Sequence, residues 1–91
     1  MHKNLDKYGY LIGFFLGYID ILETNQDILN YFQNNPDEIP ICIDEISKLI
    51  NDNLLDWTIF TDEANIYFQS KTDFISFFNW LKIELNKIPL E

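Results

Sequence analysis

The side chains able to do chemistry in this chain are few in kind, and most are carboxylates: 15 Asp and Glu residues accompany a single histidine and a single cysteine. His2 stands at a chain terminus, where a side chain is seldom held in place, so it is a poor candidate for a positioned general base. Cys42 reads as a small buried hydrophobe rather than a reactive thiol. As the only cysteine it permits no internal disulfide, which suits a reducing compartment. No arginine occurs, so the usual bidentate clamp for phosphates and carboxylates is missing. No Cys or His pair has zinc-ligand spacing. The stretch NDNLLD, Asn51 to Asp56, lacks the turn glycine and the distal glutamate of a calcium loop. No metal and no cofactor are expected.

Carboxylate pairs remain. Asp37-Glu38 and Asp44-Glu45 hold acids side by side, but neighbours on a helix point about 100° apart and do not converge on one substrate. Solvated surface is the expected role. The chain is read as a binding protein and not as an enzyme.

The distribution of charge says more than any motif. Formal net charge is -9, and from Asp20 to Glu63 there are eleven acids and one base, Lys48. Direct binding to DNA or RNA is disfavoured, since phosphate contacts need clusters of Lys and Arg. Solubility alone accounts for some acidic surface. The aromatics Tyr31, Trp57 and Tyr67 lie close in sequence to the acids, and aromatics inside a charged rim are the usual make-up of a tight interface. A basic protein is the expected partner. The candidate partner-binding residues are Asp37, Glu38, Asp44, Glu45, Asp52, Asp56, Asp62 and Glu63, with Tyr31 and Trp57 as anchors.

In size and charge the chain resembles the small acidic immunity proteins that protect bacteria from their own nuclease toxins, as in colicin and contact-dependent inhibition systems. The resemblance rests on no alignable motif. It implies a cytoplasmic antitoxin that covers the active or substrate-binding surface of a cognate toxin domain. Two other readings share part of this evidence. One is a phage-encoded nucleic-acid mimic of the anti-CRISPR or anti-restriction type. The other is a small structural homo-oligomer.

The elements that would position these groups follow from periodicity. Tyr8 to Ile19 is uncharged, yet too short for a bilayer-crossing helix, which needs about 20 apolar residues. An export signal is opposed by Asp6, by the glycines and tyrosines of the run, and by the lack of a small-residue cleavage site. Residues Leu5 to Leu22 are expected to form a core helix. Gly9, Gly13 and Gly17 would then make a groove for the close approach of another backbone, or for a second copy of the chain. Thr24 and Asp27 mark the start of a short helix, stopped by the NNP of residues 34–36. Pro40 opens an amphipathic helix with Cys42, Ile43, Ile46, Leu49, Ile50 and Leu54 inward, and with Asp44, Glu45, Lys48 and Asp52 outward. Trp57 to Phe60 and Ile66 to Phe68 are β-formers flanking a polar stretch, which predicts a hairpin. A last helix runs from Ser70, with Phe74, Phe77, Phe78, Leu81, Leu85 and Ile88 inward. The expected fold is one α+β domain over residues 1–91: four helices, one of them short, with a β-hairpin between the last two.

Overall fold

A computed structural model describes residues 3–18 and 24–89. The expected continuation of the first helix to Leu22, and the acids Asp20 and Glu23, lie outside the described residues. A 3-10 helix, Lys3–Tyr8, leads into α1, Gly9–Tyr18. Then come α2, Asn25–Asn34, a 3-10 turn, Pro36–Glu38, and α3, Ile39–Ile50. Helices α4, Trp57–Ala64, and α5, Lys71–Asn86, complete the order. Among the described residues there is no strand, so the expected α+β fold with a hairpin is replaced by an all-helical one.

The hairpin expectation failed on local chemistry. Asp56 caps α4, its Oδ1 accepting from the amides of Thr58 and Ile59 at 3.0 and 3.4 Å. Within the segment Phe60, Thr61 and Ala64 are buried and Trp57 half-buried, the spacing of a helix face. Asn65 then turns left-handed at φ 57°, and Ile66 N–H reaches back to Thr61 O at 3.1 Å. That is a Schellman close, which turns the chain out of the helix before Ile66 to Phe68. β-propensity was overridden by a good cap at each end.

Other boundaries follow their signals. Thr24 Oγ1 accepts from Asp27 N–H at 3.2 Å while Asp27 Oδ2 accepts from Thr24 N–H at 3.0 Å, a complete capping box. Ser70 Oγ caps α5 through the Asp73 amide. Helix α3 ends at Ile50 rather than continuing to Leu54, which is 85% exposed.

Helix α1 packs against α3 and α4, α3 packs against α5, and α2 against α5. Tyr8, Phe32, Phe60, Phe74 and Phe78 are fully buried where these elements meet, each ring contributing about 1.5–3 kcal/mol of burial. Phe60 joins the set edge-on, 5.9 Å from Tyr8 and 5.6 Å from Phe74. Cys42 lies in this core, and burial pushes its thiol up to about 12. Among the described residues no helix is long and apolar enough to cross a membrane.

The glycines of α1 contradict the expected close contact. Gly9, Gly13 and Gly17 are exposed, and a Cβ added at any of them would meet nothing within 4 Å. The bulky residues Leu11, Ile12, Phe14 and Phe15 turn inward instead, so the small residues fall on the open side.

Candidate functional site

The acids of α3 and its flanks divide into two sets. Glu38 in the 3-10 turn before α3, Glu45 within α3 and Asp52 two residues past its end recur every seven residues, and all three face the N-terminal segment. That segment is the 3-10 helix and the start of α1. Glu45, 7% exposed, accepts from the first-turn amides of α1: Leu11 at 3.0 Å and Tyr10 at 3.3 Å. It is a cap supplied from a neighbouring helix, where free N–H groups and the helix dipole favour an anion. Asp52 Oδ2 accepts from the Tyr8 hydroxyl at 2.6 Å and pairs with Lys7 Nζ at 3.0 Å. Glu38 Oε1 accepts from the Tyr10 hydroxyl at 2.7 Å. The Tyr31 hydroxyl bridges both Glu38 oxygens at 2.8 and 2.9 Å.

The electrostatics agree with this division. Asp52 is held below the usual aspartate range, first by the Tyr8 hydrogen bond and then by the one from Lys7. The Tyr8 and Tyr10 phenols are pushed well above the usual range, chiefly by burial and next by donating to Asp52 and Glu38. The hydroxyls therefore stay protonated and go on donating.

The expected outward face of α3 needs correcting. Glu45 is buried and Asp52 only partly accessible, so the fold gives neither to solvent freely. Asp37 and Asp44 are exposed, Asp44 pairing one turn along with Lys48 at 3.0 Å. Asp56 is exposed but committed as the α4 cap. Asp62 is exposed and Glu63 half-buried on α4.

The two aromatic anchors are likewise partly enclosed. Tyr31 stands against Phe14 and Phe32 at ring separations of 5.2 and 5.3 Å, and Trp57 against Phe74 at 5.9 Å. Two residues outside the candidate set are far more available. Leu54 is 85% exposed just before α4, and Tyr67 is 80% exposed just after it. The signal for both was their place beside turns: Leu54 N–H donates to Asp52 Oδ1, and Tyr67 follows the left-handed Asn65.

No group of three or more His, Cys, Asp or Glu side chains able to hold a metal occurs among the described residues. The three acids that do point the same way are each spent on a structural donor. No protein-family model matches the chain, and comparison with curated proteins and with solved structures returns no match.

Proposed function

We propose that this protein binds and neutralises a basic protein partner, as an immunity protein does with the nuclease domain of its cognate toxin, and that it does no catalysis of its own. One observation carries the reading. Between residues 24 and 63 the described chain holds nine acids and one base, and after internal hydrogen bonding Asp37, Asp44 and Asp62 remain exposed, with Glu63 half-buried beside Asp62. Among the described side chains their counter-ion is Lys48, which forms an exposed i,i+4 pair with Asp44, worth about 0.3–0.5 kcal/mol and easily given up to a partner. Exposed carboxylates of this kind steer association with a basic surface. Tyr67 and Leu54, at either end of α4, supply the apolar contacts that charge alone does not.

The test is a pull-down from the source cell with the intact chain and with Asp37, Asp44, Asp62 and Glu63 reversed to lysine. All four are outside the core, so folding should survive, checked by circular dichroism and thermal unfolding. The intact chain should capture a basic toxin domain and the variant should not. Raising salt should slow association, because exposed charges are screened beyond about 8–10 Å. Full capture by the reversed protein would sink the reading. Capture of a restriction or CRISPR effector instead would favour the nucleic-acid mimic.

A further inference from the structure

Past α4 the side chains alternate between core and solvent. Ile66 is half-buried, Tyr67 is 80% exposed, and Phe68 is half-buried again. Both neighbours of Tyr67 are fastened. The Ile66 amide donates to Thr61 O at 3.1 Å, closing the left-handed turn at Asn65. The Phe68 ring meets Phe74 edge-on at 5.6 Å and lies tilted against Phe77 at 5.5 Å. Two residues further on, Ser70 caps α5. Tyr67 itself is tied to nothing of this kind. Among the described residues no hydrogen bond reaches its hydroxyl and no aromatic ring packs on its ring. A side chain held at its root and open at its tip has already met the ordering cost that docking otherwise carries. A tyrosine then has only about two torsions left to settle.

We infer that Tyr67 is a preformed anchor for a guanidinium, taking one arginine side chain of the basic partner flat against its ring. A guanidinium is planar and weakly hydrated, and it stacks on aromatic faces; the ring quadrupole attracts a cation within about 6 Å of the centroid. Asp62 and Glu63 stand five and four residues before Tyr67 and add the negative potential that draws a cation in. Leu54 is as open, at 85%, but has no quadrupole and so no preference for a cation. The inference rests on the reading of a basic partner for the source of the arginine. Ring and guanidinium can nonetheless be tested with no partner present.

The experiment uses the full chain, isotope-labelled, and begins with relaxation of the free protein. The Tyr67 amide should give an order parameter above about 0.6, toward the 0.85 of rigid backbone; a lower value means an unpositioned loop and overturns the inference. The chain is then titrated with N-acetyl-hexa-arginine amide, and with the hexa-citrulline peptide as the neutral isostere. The arginine peptide should shift the Tyr67 ring resonances saturably, and the citrulline peptide should leave them in place. Both substitutions that follow fall on an exposed side chain, so folding should survive them. Tyr67→Phe keeps the quadrupole and should bind the arginine peptide within about twofold of the intact chain. Tyr67→Leu keeps apolar area alone and should bind at least about threefold more weakly. Tyr67 signals that stay still, an equal response to citrulline, or Tyr67→Leu binding as tightly as the intact chain would each overturn the inference. So would Tyr67→Phe as weak as Tyr67→Leu, since the hydroxyl would then be the contact. If the ring takes the arginine peptide while the pull-down yields no basic protein, the guanidinium site stands and the partner reading falls. If capture depends on the acids but Tyr67→Leu captures as well as the intact chain, the anchor falls and the acidic surface stands.

Discussion

Asp37 and Asp44 look out to solvent, whereas the residues that follow them, Glu38 and Glu45, are turned onto the N-terminal segment. Chemically the pairs are nearly uniform, and in sequence they are indistinguishable. A rotation of about 100° per residue in α3, and about 120° in the 3-10 turn before it, separates their fates. One set feeds a surface potential; the other closes the start of α1 and anchors Tyr8 and Tyr10. Clustered acids in a sequence therefore overstate the charge available to a partner. They also conceal hydrogen-bond acceptors on which the fold depends.

The largest effect should separate Glu45 from Asp44. Glu45→Ala leaves two first-turn amides of α1 without their acceptor, at about 1–3 kcal/mol for each buried group. A total loss of about 2–4 kcal/mol would lower the melting temperature by roughly 4–8 °C per kcal/mol in a domain this size. Glu45→Gln, with one acceptor oxygen, should recover part of it. Asp44→Ala should stay within about 0.5 kcal/mol. Thermal unfolding of the three variants decides the matter, and equal losses at residues 44 and 45 would break the inward–outward division.

Trp57 and Tyr67 make the same contrast in aromatic residues. Trp57→Ala removes a half-buried ring packed on Phe74 and should destabilise by about 1–3 kcal/mol. Tyr67→Ala should leave stability within about 0.5 kcal/mol and instead raise the dissociation rate of a captured partner. Denaturant unfolding alongside a dissociation-rate measurement would expose an exchange of roles.

Asp52 sharpens the comparison through pH. Its folded pKa lies below the ordinary 3.8, so folding favours the ionised carboxylate. The sign is that of a depressed acid: the contribution is full above the unfolded value and disappears as pH falls from about 3.8 through the folded value. Asp52→Asn should cost about 1–2 kcal/mol at neutral pH by weakening the bonds from Tyr8 and Lys7. The deficit should shrink toward zero through that acid window. A deficit independent of pH would mean that Asp52 acts by packing and not by charge.

The smallest effect belongs to the open side of α1. With no atom within 4 Å of its would-be Cβ, Gly13→Ala should stabilise the protein by up to about 1 kcal/mol through helix propensity. A loss of stability would place a contact on that face.

Much of the helical skeleton could be read from local chemistry. Thr24 with Asp27 and Ser70 with Asp73 both cap helices where the sequence signalled a start, because a cap needs only residues three apart. The inward positions Cys42, Ile46 and Leu49 of α3, and Phe74, Phe78, Leu81 and Leu85 of α5, follow from period alone. The segment from Trp57 to Phe68 was misread because its β-forming residues outweighed, in a reading by propensity, the Asp56 cap and the spacing of Phe60, Thr61 and Ala64. Net charge and its concentration in residues 20–63 are properties of the sequence by itself. Only the tertiary structure decided which acids reach solvent. Tyr10, Leu11 and Tyr8, which donate to Glu38, Glu45 and Asp52, lie 28, 34 and 44 residues away along the chain, and they meet these acceptors only when the N-terminal segment packs on α3. The same packing turned the bulky residues of α1 inward and left its glycines open, since burial is settled by the partner helices and not by spacing.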